Sequence, residues 1–163
     1  ILFFSQARAA GFKPKVVIGA GGGYSLADTA KAVGADMNGV FDLDFPQSSI
    51  NPAGAPGLDK FLEAYKTTYK CDPQSGHSLT NYVGAKAFFE AIANAKSTDK
   101  DKIRAAVLAY KKPAGQTANG WAFDFGEDGQ NNASTFYVMQ WQDGKLVTIA
   151  PDNLALGKPV FKK

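Results

Sequence analysis

Lys15-Val-Val-Ile-Gly-Ala-Gly-Gly-Gly-Tyr-Ser25 constrains this chain more than any other stretch. Three β-branched residues in a row, Val16 to Ile18, form the short apolar run of a strand buried on both faces. Gly19, Gly21, Gly22 and Gly23 follow, then Ser25, a residue type that opens helices. A strand passing through a glycine-rich turn into a helix belongs to an α/β sheet. Such sheets place ligands beyond the carboxyl ends of their strands. The stretch therefore predicts both a fold class and the position of a binding site.

The glycines do not spell a nucleotide cradle. Gly19-Ala-Gly21 opens like G-x-G-x-x-G, but Tyr24 stands at the sixth position, where the helix-packing glycine belongs. No Gly-Lys-Ser/Thr follows, so the stretch is not a P-loop. Two readings remain. One is a flexible strand-to-helix turn. The other is a loop whose bare N–H groups, with Tyr24, meet a ligand at a cleft mouth.

Around this stretch the elements alternate. Ile1 to Ala10 reads as the end of a helix closed by Gly11, and Pro14 prevents its continuation. Ser25-Leu-Ala-Asp28 has the form of a helix start, and Gly34 ends that short helix. Gly39 to Phe45 alternates as a strand, with Val40, Asp42 and Asp44 on one face and Phe41, Leu43 and Phe45 on the other. Asn51-Pro52 is a cap followed by proline, and Leu58, Phe61, Leu62, Tyr65 and Tyr69 carry helical spacing. Cys71 to Gly76 reads as a crossover. Ser78 to Ala95 is a further helix, apolar at Leu79, Tyr82, Val83, Phe89, Ile92 and Ala93, and Thr98 or Asp99 caps another. Trp121 to Phe125 and Thr135 to Trp141 read as strands. Asp143-Gly144 then marks a hairpin into Leu146 to Ile149, because both positions need positive φ.

Composition excludes several functions. At 163 residues and 45% hydrophobic, the chain suits one domain or parts of two lobes. A net charge of +3 comes from scattered lysines, with pairs at Lys111-Lys112 and Lys162-Lys163, and no basic stripe suggests nucleic acid. No apolar run reaches the ~18 residues of a membrane span. Cys71 is alone and has no metal-ligand spacing around it. Ile1 is not a methionine and the pattern opens inside an element, which suggests a piece of something longer.

Few residues offer chemistry. Asp42 and Asp44 are two apart on one strand face, where like charges favour a solvated position. Asp124 to Gly129 begins like a calcium loop, but Gly126 lacks the oxygen side chain its position needs and Thr135 stands where the bidentate Glu belongs, so it reads as a turn. His77 has no partners for a nucleophilic set. It reads as a loop histidine or, at the crossover, a ligand contact. Trp121 and Trp141 read as core. No activated nucleophile or matched acid–base pair is present, so the expectation is a protein that is not an enzyme and uses no cofactor and no metal.

Gln6 to Pro14, followed by the Val16–Ser25 strand and loop, resembles the second lobe of type I periplasmic binding proteins, in the branched-chain amino-acid branch serving ABC importers. Phe61 to Tyr69 with Asp72-Pro73 resembles that family's helix and exit loop. Asn81 to Ala85, Ala95 to Asp99 and Ile103 to Val107 resemble its next two helices. Phe125 to Gln130 and Tyr137 to Lys145 resemble its closing segment.

The resemblance implies a type I periplasmic-binding-protein fold of doubly wound, Rossmann-like α/β lobes, this chain being mostly the second lobe plus part of the first. Residues 1–74 would be second lobe, 75–132 an excursion into the first, and 133–163 the closing hairpin and tail, in a mature protein of about twice this length. The implied function is the extracytoplasmic solute-binding component of an ABC importer, closing on a small amino-acid-like, amide or carboxylate/aromatic solute. The implied partners are that solute and the membrane permease, and the implied state is a periplasmic or lipid-anchored monomer. A sensing receptor domain of the same fold and a flavodoxin-like enzyme are the alternatives. The expected ligand contacts are Gly21, Gly22, Gly23, Tyr24, Phe45 and His77. The chain departs from the family at Gly21, where amino-acid binders carry the glutamate that meets the ligand's ammonium.

Overall fold

The computed structural model describes residues 1–161; the Lys162-Lys163 pair lies outside the described residues. The elements in chain order are α1 Leu2–Ala9, β1 Ile18–Ala20, α2 Ala27–Val33, β2 Phe41–Asp44, α3 Leu58–Tyr69, α4 Gly76–Ala95, α5 Lys100–Leu108, β3 Lys111–Lys112, β4 Phe123–Asp124, β5 Tyr137–Gln142 and β6 Lys145–Ala150. They fall into two compact units. The first holds Ile1–Asn51, Gln74–Gly76 and the chain from Phe136 onward; the second holds Pro52–Pro73 and His77–Thr135. By compactness, α3 groups with α4 and α5 rather than with the four-stranded sheet.

The first unit is a mixed sheet of order β1-β2-β5-β6. β1 and β2 run parallel, with Ile18, Gly19 and Ala20 opposite Phe41, Asp42 and Leu43. β2 meets β5 antiparallel, Asp42 opposite Met139 and Asp44 opposite Tyr137. The parallel pair needs a crossover, which α2 supplies, whereas β5 and β6 need only the Asp143-Gly144 turn, at φ 48° and 75°. Gly34, at φ +73°, caps α2 as expected. The core gathers Phe4 of α1, Val33 of α2, Met37, Val40 and Trp141 of β5, with Val17, Tyr24 and Leu146 packed against it.

Three details differ from the sequence reading. The strand is Ile18–Ala20 rather than Val16–Ile18, because its one ladder partner among the described residues, β2, starts at Phe41. Val17 contributes just a carbonyl, which accepts the Phe41 N–H at 2.9 Å. Nor is the strand buried on both faces: Ile18 is 65% exposed and, across the ladder, Leu43 is 39% exposed. Ser25 does not cap a helix. α2 begins after Leu26 with no side-chain cap, and the Ser25 hydroxyl is used elsewhere.

In the second unit, α4 buries the row Leu79, Val83, Ala87 and Ala91, one residue per turn. Phe89, read from the sequence as inward-facing, is exposed, as is Phe88. Small alanines line the packed face and leave the phenylalanines outside. Phe61 of α3 packs its ring 4.9 Å from Tyr82 of α4. Asp99 caps α5 by accepting the N–H groups of Asp101 and Lys102 at 3.0 and 3.1 Å. Glu90 accepts the Tyr110 hydroxyl at 2.6 Å and the Lys112 ammonium at 2.9 Å; these two donors hold its carboxyl below the usual range. The segment from Gly126 to Gly129 is a turn, closed by the Gly129 N–H donating to the Gly126 carbonyl at 2.9 Å.

Candidate functional site

Because β1 and β2 are parallel, their carboxyl ends lie side by side, and the glycine loop leaves β1 next to the Asp44–Gln47 segment leaving β2. The Gly21 N–H donates to the Leu43 carbonyl at 2.9 Å, which extends the ladder by one bond beyond β1. Gly21 then takes φ +81°, and the Tyr24 N–H closes a four-residue turn onto the Gly21 carbonyl at 3.1 Å. A Cβ at Gly21 would meet no atom, but the left-handed backbone there favours glycine. Gly22 and Gly23 also face open space, without that backbone demand. Among the described residues, the N–H groups of Gly22 and Gly23 donate to no acceptor. The tip of the loop is thus two open glycines with two available donors.

Gly19 serves a different purpose. A Cβ there would lie 2.1 Å from the Tyr24 ring, so the ring sits directly on the strand. Tyr24 also meets Phe4 edge-on, at 6.3 Å between centroids, and its carbonyl accepts the Trp141 indole N–H at 2.6 Å. The sequence reading placed Tyr24 toward a ligand. Its ring is half-buried against the core, where it holds the loop from behind.

The two aspartates are the main correction. Both were expected on a solvated face, yet Asp42 is 0% and Asp44 2% exposed. Alternation shows which residues share a face but not which face is covered; here Val33 of α2 and Tyr24 pack with Val40 on the aspartate side. Asp44 is well partnered. One oxygen accepts the Ser25 hydroxyl at 2.8 Å and a long 3.5 Å contact from Gln47 Nε2, and the other accepts the Phe45 N–H at 2.7 Å. Asp42 is not: neither oxygen has a hydrogen bond among the described residues. Burial first, and the like charge of Asp44 second, push its carboxyl up to about 7; the nearby Gly21 and Leu43 N–H groups oppose this only in part.

Phe45 follows Asp44 directly, half-buried, with its ring 5.5 Å from Phe136. Gly21, Gly22, Gly23, Tyr24 and Phe45 therefore gather at one end of the first unit. His77 is exposed at the second position of α4, in the second unit. Ser25, Asp44, Gln47 and Trp141 fix the loop and were missed as site residues. Ser25 was legible only as a helix cap, and Trp141 only as core. A cavity of about 730 Å³, lined by Phe4, Phe12, Lys15, Val40 and Phe161 among others, opens at the amino ends of β1 and β2, away from the loop. No described helix is long and apolar enough to cross a membrane.

Relatives carry the same arrangement of elements. A leucine binding protein from Thermotoga maritima superposes with a TM-score of 0.71 at 23% identity, over 91% of this chain and 40% of its own. A putative branched-chain amino acid ABC transporter protein from Silicibacter pomeroyi gives 0.71 at 16% identity, over 97% of this chain and 43% of its own. At the sequence level, Leu/Ile/Val-binding protein homolog 8 of Brucella abortus is 52% identical over 164 aligned residues, all of this chain. Leu/Ile/Val-binding protein homolog 7 of Brucella suis is 48% identical over 97% of it. The chain spans 41% and 40% of the lengths of these two relatives. The type I periplasmic-binding-protein fold of the neighbours, with its mixed sheet, is the fold found here. The family description "periplasmic binding protein" matches residues 1–145, and the chain belongs to that family of solute-binding proteins.

Proposed function

We propose that the protein carrying this chain is the extracytoplasmic solute-binding component of an ABC importer. It binds a small amino-acid-like, amide or carboxylate/aromatic solute by hinge closure and delivers it to a membrane permease. The names of the Brucella relatives support the solute-binding role. The observation that carries the site is the loop tip: Gly22 and Gly23 present unengaged N–H groups beside open space at the carboxyl end of β1. Donors of that kind suit a carboxylate or amide oxygen, each hydrogen bond contributing about 0.5–1.5 kcal/mol net, more to a charged oxygen. Gly21 offers no carboxylate for an ammonium, which favours solutes recognised through their oxygens at this loop. Phe45 supplies an adjacent aromatic surface, and His77 a second, separate candidate contact.

A thermal-shift screen of the protein at its natural length tests this reading. The panel holds L-leucine, L-isoleucine, L-valine, their amides, and aromatic and aliphatic carboxylates. A ligand at 100 times its Kd stabilises the folded form by about 2.7 kcal/mol, a readily measured rise. No rise with any member would refute the proposal. A rise with L-leucine equal to that with leucinamide and with 4-methylpentanoate would assign recognition to the shared oxygen.

A further inference from the structure

We propose that Asp42 and Asp44 form a proton-dependent clamp on the glycine loop, in which Asp44 is the anion that holds Ser25 and Asp42 is a neutral acid packed beside it. This rests on the loop being the binding element and adds its regulation.

Asp44 ties two strand ends together. Its carboxylate takes the Ser25 hydroxyl at 2.8 Å from the loop after β1, and the Phe45 N–H at 2.7 Å from its own strand. Breaking the first bond would loosen the loop at the end opposite its Gly21–Leu43 anchor, leaving Tyr24 held through the Trp141 indole. Asp42 lies two residues back on the same face, fully buried, with both oxygens unpaired among the described residues. A buried carboxylate without partners costs several kcal/mol, so the group is carried as the acid.

Among the described residues no cation is set against it. β1 faces it with Gly19 and β5 with Met139, flanked by the Tyr137 phenol, whose own ionisation is pushed up by burial. Further along the same face, β6 brings Thr148 opposite Met139, and the loop brings Tyr24 and Ser25. On α2 the charged residues Asp28 and Lys31 are exposed, and Arg8 of α1 is paired with Asp36 at 2.5 Å. Among the described residues the one charge that bears on Asp42 is Asp44. When Asp42 loses its proton, two anions share one buried face. Asp44 then shifts away from Asp42 and strains its bond to the Ser25 hydroxyl, among the described residues its one hydrogen bond to the loop. The loop therefore keeps its shape on the acidic side of neutrality and loosens on the alkaline side.

Trp141 reports on this directly, because its indole N–H donates to the Tyr24 carbonyl within the loop. Trp121, which donates to the Thr135 carbonyl in the second unit, is the internal control. The test is NMR of the indole N–H signals and aspartate side-chain carboxyl carbons from pH 4 to 9. One carboxyl is expected to titrate near pH 7, with the Trp141 signal moving at the same midpoint and Trp121 unmoved. Asp42→Asn should abolish both movements. Ser25→Ala should keep the carboxyl titration and leave Trp141 in its alkaline position at every pH. A wild-type Trp141 signal that stays flat while a carboxyl titrates would overturn the clamp, as would the absence of any aspartate titrating above about pH 6. Both wild-type readouts stand even if a variant does not fold. They need no solute, so a failure of solute binding is distinguishable from a failure of the clamp.

Discussion

Replacing Gly19 by alanine tests whether the loop is built onto the sheet through Tyr24. The added methyl would lie 2.1 Å from Tyr24 Cγ and 2.5 Å from each Cδ. Carbon atoms in contact sit about 3.5–4.0 Å apart, so the ring must move by more than ~1 Å. It has little room. Phe4 stands edge-on to it, and the Tyr24 carbonyl is held by the Trp141 indole at 2.6 Å. Over-packing of this kind costs about 1–3 kcal/mol. Loss of the indole bond as the loop shifts adds about 0.5–1.5 kcal/mol. Gly19→Ala should therefore destabilise the protein by roughly 2–4 kcal/mol, read by urea denaturation as a lower midpoint at unchanged slope. The clash also predicts coupling: Gly19→Ala should cost much less in a Tyr24→Ala background. A loss under about 0.5 kcal/mol, or strict additivity of the two changes, would refute the reasoning.

Asp42 gives stability a definite pH dependence. Its folded-state pKa of about 7 lies above the ordinary 3.8, so between those values the folded state keeps a proton the unfolded state has released. Stability should fall as pH rises from about 4 to 7 and level off above, by up to roughly 4 kcal/mol at ~1.4 kcal/mol per unit. Asp42→Asn should remove that slope, so its stability relative to wild type should improve between pH 4 and pH 8; parallel profiles would contradict the assignment. In solute binding, Tyr24→Ala should cost more than about tenfold because it frees the loop, while His77→Ala should cost under about threefold. Calorimetry reads both, and equal losses would place the binding determinants elsewhere.

The sequence made the glycine loop at the carboxyl end of β1 legible because its signals are local. Glycines that end helices, a proline that stops a helix and an Asp-Gly hairpin act within a few residues, and Gly11, Gly34 and Gly144 all take positive φ. What it hid were facts about cover. The alternation of Phe41 to Phe45 correctly separated two faces, but whether water or α2 lies over Asp42 depends on residues far along the chain. Ser25 looked like a cap because a nearby acid completes that pattern, yet its hydroxyl crosses to Asp44, 19 residues away. Tyr24 looked like a ligand contact because it ends a glycine run. Only the Gly19 contact and the Trp141 bond, 117 residues away, show it turned inward. In α4 the exposed Phe89 misled for the same reason: helical spacing admits several faces, and the packed one here is the row Leu79, Val83, Ala87 and Ala91.

The claim at the centre is that the open tip of the glycine loop receives the solute. Gly22 is the place to test it, since a side chain there meets nothing within 4 Å and its backbone makes no special demand. Gly22→Trp should leave the melting temperature within about 2 °C of wild type while filling the space above the loop. Titration calorimetry of the natural-length protein with its best solute from the screen should then show affinity reduced by more than about tenfold. Unchanged affinity in a folded Gly22→Trp protein would contradict the account.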